Sequence, residues 1–368
     1  MTRLVRWLVP AALVAVAAVT LLSHVGAQPA AKPYEFKLGD KPLSDEDARK
    51  VTLRPAFKAV ADDKFEYEVY LDKKTNGGSS DGAAPAGGFA RRETWMALCE
   101  VLLEEDELNG RKDLRAAFRF GPLHFDLSDG DESFSGYIGP GGGDAADRKD
   151  ATFWKIERDG SRTQAFNIPG WAGVNARGVE SSRNTQSMIG NAAAWMSISE
   201  SGRAHSELYF AEFDVADQRN YPGRFLDPVQ LLLGIQPEFA PDASVQAGGT
   251  LSVRRRFPVG LSGSLDYDLT YTLEKIYGTV ETPTAAVFKF TGKPVTAEQA
   301  QRLGGLDVRY TAPEITDGYL LLDLVKGVAA VVKWKYALKG EVLEPGSARK
   351  ASFASAAEFS ASLRKQQK

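Results

Sequence analysis

Residues 265–274 read Leu-Asp-Tyr-Asp-Leu-Thr-Tyr-Thr-Leu-Glu, and this stretch decides the fold class. Its odd-numbered positions are all apolar or aromatic, and its even-numbered positions are all polar. Successive side chains of a β-strand point to opposite faces, so this period of two predicts a strand with one face on a core and the other in water. Residues 251–257 repeat the alternation and are the predicted hairpin partner of this strand.

The same alternation recurs outward from this stretch in both directions. It is clearest at residues 65–71, where four apolar side chains alternate with polar ones. Turn signals such as Asp-Gly and Lys-Gly separate further pairs of segments and predict hairpins. The predicted hairpins join residues 94–103 with 114–120, 152–157 with 162–166, and 319–325 with 328–338. Successive hairpins of this kind predict antiparallel sheets rather than βαβ units.

Short helices interrupt this pattern at a few places. Thr296 with Gln299, and Ser355 with Glu358, have the spacing of a capping box, so each pair predicts a helix start. Further short helices are expected near Asp45, at residues 191–196 and at residues 227–234. The expected fold class is therefore mainly β (α+β), with two packed lobes of antiparallel sheet and a few short helices.

The first residues predict export from the cytoplasm. Arg3 and Arg6 precede an uncharged run over residues 7–22, and small residues follow up to Ala27. This order is typical of a signal peptide, residues 1–27, used by the general secretory route; a retained membrane anchor is the alternative. After cleavage no transmembrane segment is expected, and the protein would reside in the periplasm or the medium.

Three regions are expected in the exported part of the chain. Residues 28–60 are an extended N-terminal arm with a short helix. Residues 61–215 form a β-rich lobe with Gly-rich loops, and residues 224–368 form a second β-rich lobe with two short helices. Length alone leaves open whether these lobes are one domain or two.

Composition excludes several classes of function. The 368 residues carry a net charge of −3 at pH 7, so the chain lacks the excess of positive charge that attracts nucleic acid. The single cysteine, Cys99, excludes an intrachain disulfide. Cys99 lies in phase with Trp95, Ala97 and Val101, so it is expected to be a buried small hydrophobe rather than a nucleophile.

Motifs for metal or nucleophilic chemistry fail in their context. After the expected signal peptide the chain has two histidines, His124 and His205, which are too few for most zinc or copper sites. The acidic residues 126–132 do not have the spacing of an EF-hand, so a solvated turn is expected there. Ser80 lies in a G-x-S-x-G pattern, but a Gly-rich segment follows it instead of the required helix. We therefore expect no metal, no cofactor and no assigned catalytic residue.

Three tryptophans are the candidate ligand-binding residues. Trp154, Trp171 and Trp195 occur in the least regular part of the sequence, where exposed indoles stack on a sugar or line an apolar groove. The alternative is that all three are core residues. The expected ligand is apolar or a carbohydrate.

The second half of the chain contains an ordered series of short motifs: residues 231–234, followed by Pro237, Val245, the pair Gly248 and Gly249, Leu251, and residues 271–273. In this order the chain resembles a family of uncharacterised exported β-rich bacterial proteins. The resemblance implies a secreted, largely antiparallel β protein. It transfers no activity and no site residue.

The leading hypothesis for function is noncatalytic binding of a ligand or partner in the cell envelope, in the manner of a carrier. It depends on the absence of a recognisable catalytic constellation and on the supply of aromatic residues on sheets. Two alternatives remain open: a hydrolase-type enzyme that uses His205, and a structural protein of envelope assembly.

Overall fold

The computed structural model describes residues 34–39, 41–79, 89–105, 114–129, 131–138, 151–164, 194–199, 209–210, 239–240, 242–259, 263–296, 298–303, 306–343 and 350–364. The expected signal peptide lies outside these residues, as do Ser80, Trp171, His205 and the expected helical turn at 227–234.

The described elements are one short helix and seventeen strands. Helix α1 is Asp45–Lys50. The first nine strands are β1 (Thr52–Leu53), β2 (Lys64–Ser79), β3 (Phe89–Glu105), β4 (Leu114–Asp129), β5 (Glu132–Ile138), β6 (Ala151–Ile156), β7 (Arg162–Gln164), β8 (Ala194–Ile198) and β9 (Tyr209–Phe210). The others are β10 (Val245–Gln246), β11 (Thr250–Val259), β12 (Gly263–Gly278), β13 (Pro283–Pro294), β14 (Glu298–Leu303), β15 (Leu306–Asp323), β16 (Val328–Leu343) and β17 (Lys350–Leu363).

Fifteen of these strands form one sheet. Its order is β11-β12-β13-β15-β16-β17-β2-β3-β4-β5-β6-β7, with β14 beside β15, β8 beside β4, and β9 beside β8. Every strand pair is antiparallel, from β11 with β12 to β8 with β9. The mainly β, antiparallel fold class is confirmed. Strands of both expected lobes belong to this one sheet, because β17 pairs with β2.

The hairpins expected from alternation are present. Residues 94–103 and 114–120 lie in β3 and β4, residues 251–257 and 265–273 in β11 and β12, and residues 319–323 and 328–338 in β15 and β16. The helix expected near Asp45 is α1, and the side chain of Ser44 caps it by accepting the N–H of Asp47 at 3.1 Å.

Three expected helices are wrong. The segments after Thr296, around Ser355 and at residues 194–196 are strands β14, β17 and β8. In β17 the buried positions recur every second residue, at Ser355, Ala357, Phe359 and Ala361. The strand lies between β16 and β2 and pairs with both over its length, so ladder bonds and burial on one face override the helix preference of its alanines.

The core lies mainly on one face of the sheet, although residues 285–288 of β13 are buried on both faces. An aromatic chain crosses it from Phe239 through Tyr271, Phe290 and Trp334 to Phe359, with centroid separations of 5.1, 5.1, 6.4 and 4.3 Å. All five side chains are buried. The apolar face is therefore filled by the protein's own side chains along this row. Cys99 belongs to the same buried face, as expected, and its burial raises the pKa of the thiol.

A segment that we call the strap, residues 34–39 and 41–63, contacts one end of the sheet at several places. The Tyr34 N–H donates to Lys64 O at 2.7 Å, the Leu43 N–H to Ile276 O at 2.8 Å, and the Lys58 N–H to Lys326 O at 2.8 Å. Strand β1 within the strap also pairs with β10. The strap thus contacts the start of β2, the end of β12 and the turn between β15 and β16.

Charged groups hold the strap to this turn. The Lys326 ammonium lies 2.7 Å from both carboxylate oxygens of Asp63 and 5.7 Å from the ring centre of Tyr34. Asp323, which is fully buried, accepts the N–H of Val325 at 2.7 Å. Burial, together with the neighbouring Asp323 carboxylate, raises the pKa of Tyr34. The pair between Lys326 and Asp63 is largely shielded from water, so removing one partner would leave the other charge poorly solvated.

Stability is expected to fall at alkaline pH because of buried tyrosines. Tyr67 is 1% exposed and its hydroxyl donates to Ala329 O at 2.9 Å. Burial raises the pKa of Tyr67 well above its usual value, so above about pH 10 the unfolded chain releases a proton that the folded chain retains. The free energy of unfolding should then drop by up to about 1.4 kcal/mol per pH unit for each such group.

Chemical denaturation between about pH 9 and about pH 11 measures this loss. Tyr67→Phe should cost about 1 kcal/mol at neutral pH through the lost hydrogen bond, and it should flatten the alkaline decline. If the wild-type protein and this variant declined in parallel, Tyr67 would not be a source of the pH dependence.

Candidate functional site

A cavity of about 800 Å³ lies on the side of the sheet opposite the core, over β15, β16, β17 and β2. Six of its lining side chains are charged: Asp72, Lys74, Glu314, Lys335, Lys339 and Glu358. Thr311, Thr316, Pro294, Tyr336 and three alanines complete the lining. We call this site the alanine-floored cavity. Its volume falls within the range of about 300–1,000 Å³ that is usual for small-molecule sites.

The floor of the cavity is made by two alanines that face each other. Glu314, Ala337, Ala356 and Lys74 are consecutive register partners across the four strands. Ala337 and Ala356 are exposed and lie between the carboxylate of Glu314 and the ammonium of Lys74. With strands about 4.8 Å apart, the two ends of this row are about 14 Å from each other along the sheet.

A second row of side chains forms one wall. Thr316, Lys335, Glu358 and Asp72 are register partners on the same four strands, two residues away from the alanine row on β2, β16 and β17. The Lys335 ammonium lies 3.8 Å from the Glu358 carboxylate. Arg92 of β3 donates two hydrogen bonds to Asp72, at 3.0 and 2.9 Å, and the Asp72 carboxylate raises the pKa of Arg92.

Irregularities in β15 bend the strand beside the cavity. Its pairing with β16 shifts register between Thr311 and Glu314 and again between Thr316 and Tyr319. Asp317, at the second shift, has a φ of 50°, a conformation that Asp tolerates better than most residues. Such bulges increase the local twist and redirect side chains, so they set how Glu314 and Thr316 face β16.

Two of the tryptophans expected to bind a ligand, Trp154 and Trp195, do not line this cavity. Trp154 is half-buried on β6, between Ser135 of β5 and Gln164 of β7. Trp195 is on β8, where it pairs with Ala117 and Tyr209. No ladder pair joins Trp154 with Trp195 among the described strands, and Trp171 lies outside the described residues. A shared tryptophan surface stays a prediction.

Other candidate residues for catalysis or metal binding lie in surroundings that do not indicate a site. His124 is exposed on β4, opposite Met96 and Tyr137. In the acidic stretch Asp131 pairs with Arg158 at 2.7 Å and Glu132 with Lys155 at 2.9 Å, and Asp131 and Glu132 are exposed. Within the described ranges, no three His, Cys, Asp or Glu side chains gather in a way that would hold a metal ion.

The alanine-floored cavity was not foreseen from the sequence, although one signal for it exists. The outward face of β16 carries Lys333, Lys335 and Lys339 at every second position except 337. Ala337 interrupts this series of lysines at the place where the floor lies. A small residue in an otherwise charged outward row thus marks the position of the cavity.

Comparisons with known proteins identify no family for the chain. No family model matches the chain, and no curated protein matches it. The chain is similar to a lipovitellin structure titled for its lipid–protein interactions, with a TM-score of 0.35 and 12% identity over 82% of this chain and 25% of that one. It is also similar to an outer membrane channel from Pseudomonas putida F1, with a TM-score of 0.19 and 6% identity over 83% of this chain and 97% of that one.

A third similarity is to the translocator domain of the autotransporter NalP from Neisseria meningitidis, with a TM-score of 0.16 and 10% identity over 82% of this chain and 88% of that one. The chain spans about a quarter of the lipovitellin chain that it matches. At these TM-scores the similarities carry no argument about function. In the part of the chain that the structure describes, no helix combines the length and apolarity needed to cross a membrane.

Proposed function

We propose that this protein is exported to the cell envelope and binds a carbohydrate there without transforming it. The alanine-floored cavity is the observation that carries the proposal. Charged side chains and two threonines surround a small apolar floor, and sugars present the matching combination of hydroxyl groups and C–H faces. Hydrogen bonds to charged side chains contribute about 1.5–3 kcal/mol each, so a few of them suffice for specific binding.

The core face of the sheet supports a polar ligand over an apolar one. The aromatic chain from Phe239 to Phe359 is buried and its rings contact each other, so an apolar ligand would have to displace them. Displacing packed core side chains costs several kcal/mol. The exposed side of the sheet, in contrast, offers the cavity to a ligand without any rearrangement.

Filling the floor is expected to weaken sugar binding strongly. Ala356→Trp places a bulky side chain in the middle of the cavity, and Trp is well accepted in strands, so the fold should be kept. In a screen of the purified protein against a glycan library, the variant should lose at least about tenfold in affinity for every sugar that the wild-type protein binds.

Ser352→Trp is the matched control, because Ser352 is exposed on the same face of β17 but does not line the cavity. It should bind as the wild-type protein does. Equal binding by the Ala356→Trp variant would contradict the assignment of the cavity. Release of hydrolysed sugar from the wild-type protein would instead favour the enzyme alternative.

A further inference from the structure

We propose that the carbohydrate bound in the alanine-floored cavity is acidic, and that its carboxylate lies over Ala356 between Lys74 and Lys339. This inference rests on the proposed function and goes further by naming the class of sugar and its orientation. It follows from which charges of the cavity are already paired and from where the others lie.

Two of the three carboxylates in the cavity have cationic partners within the protein. Arg92 holds Asp72 through two hydrogen bonds, and Lys335 lies 3.8 Å from Glu358. Among the described residues, Lys74, Lys339 and Glu314 form no ion pair. The charges left for a ligand are therefore two ammonium groups and one carboxylate, an excess of positive charge at the cavity.

The two ammonium groups converge on one place. Lys74 is the direct register partner of Ala356. On β16, the register partner of Ala356 is Ala337, and Lys339 lies two residues further along that strand. Lys339 is therefore a diagonal neighbour of Ala356. Direct neighbours have Cβ atoms about 4.5–5.5 Å apart and diagonal neighbours about 7–8 Å apart, within reach of long side chains. An anion over Ala356 can thus accept hydrogen bonds from both lysines.

Glu314 defines the other end of the ligand. It is the register partner of Ala337, so it faces the part of the floor that is farther from Lys74. A carboxylate accepts hydrogen bonds and repels a second anion, so Glu314 selects hydroxyl groups at this end. The row is longer than one sugar ring. The structure therefore fits an oligosaccharide with its acidic group near β2 and neutral hydroxyls near β15.

Binding should depend strongly on salt. Both lysines are exposed, and interactions between exposed charges are screened over about 8–10 Å at physiological ionic strength. An acidic sugar should lose affinity as salt is raised, whereas a neutral sugar of the same length should lose little.

Isothermal titration of the full chain tests the inference with two trisaccharides: glucuronosyl-maltose, which carries one carboxylate on a terminal ring, and neutral maltotriose. Glucuronosyl-maltose should bind at least about tenfold more tightly than maltotriose, since charge-assisted hydrogen bonds from two lysines to its single carboxylate distinguish the two sugars. Lys74→Gln and Lys339→Gln should each weaken glucuronosyl-maltose binding about 3- to 10-fold and should weaken maltotriose binding less. Lys333→Gln is the control, because Lys333 is exposed on the same face of β16 outside the cavity.

The outcomes separate the two proposals. Suppose that maltotriose bound as tightly as glucuronosyl-maltose, that the lysine variants weakened both sugars equally, and that Ala356→Trp still weakened binding. The acidic-sugar inference would then be overturned and the proposed function would stand. If neither the sugars of the library nor these two trisaccharides bound, both would fail. At constant ionic strength, inorganic phosphate should bind at least about tenfold more weakly than glucuronosyl-maltose. Equal affinity would show an anion site without sugar recognition and would overturn the inference.

Discussion

Replacing Gly327 by alanine is expected to destabilise the protein by about 2–5 kcal/mol. Gly327 lies in the turn between β15 and β16 with a φ of +69°, a conformation that disfavours any residue with a Cβ atom. A Cβ atom here would also overlap the carbonyl oxygen of Ala56 in the strap. Both costs act where the strap meets the sheet. Equilibrium unfolding in urea at neutral pH measures the loss.

Gly160→Ala separates these two costs. Gly160 lies in the turn between β6 and β7 with a φ of +82°, and a Cβ atom added there would meet nothing within 4 Å. This variant should show the backbone cost alone, about 1–2 kcal/mol. Equal losses of unfolding free energy in the two variants would mean that the strap does not contact Gly327 as the structure describes.

The hairpins were predictable because their determinants are local. Alternation of side chains over one strand length and a turn signal between two such segments suffice to place β11 with β12 and β15 with β16. The turn at Gly327 illustrates this, because Lys326 and Gly327 interrupt two alternating segments. What the sequence did not show is that the same glycine also makes room for the strap, a contact between segments far apart in the chain.

Strand β17 shows how local signals mislead. Its alanines and the pair Ser355 and Glu358 favour a helix when the segment is considered alone. The segment nevertheless has a second pattern, in which Phe353, Phe359 and Leu363 alternate with small or polar residues and share one face of a strand. Which pattern prevails depends on two neighbours, β16 and β2, that lie elsewhere in the sequence. Pairing with these two strands makes the segment a strand rather than a helix.

The alanine-floored cavity could not have been assembled from the sequence. Its floor requires the registers of three separate strand pairs, and the pairing of β17 with β2 joins the two ends of the described chain. Each residue of the row is unremarkable alone, since exposed lysines and glutamates on strands usually serve solvation. The site arises because four strands bring Glu314, two alanines and Lys74 into one line.

The strap was predictable in outline only. An arm with a short helix was expected before residue 61, and α1 lies there. Its attachment depends on Lys326 and Asp63, which are far apart in sequence, and on backbone bonds to β2, β12 and the turn after β15. Alternation carries no information about such contacts, because the strap is neither a strand of the main sheet nor an amphipathic helix.

Truncating Phe359 is expected to have the largest effect of the substitutions considered, a loss of about 3–5 kcal/mol in the free energy of unfolding for Phe359→Ala. Phe359 is 1% exposed, lies on the central strand β17, and contacts Trp334 at a centroid separation of 4.3 Å. Its removal takes buried apolar surface out of the core and leaves a cavity that the flanking strands cannot close, because ladder bonds hold their positions.

The size of this loss also tests the strand assignment of β17. Ser352→Ala, at an exposed position of the same strand, should change stability by no more than about 0.5 kcal/mol. Ala361, two residues from Phe359, is equally buried, so Ala361→Ser should also destabilise measurably by placing a hydroxyl in the core. In a helix, residues two apart point to nearly opposite sides, so Ala361 would then tolerate serine. A neutral Ala361→Ser together with a costly Phe359→Ala would therefore contradict the strand.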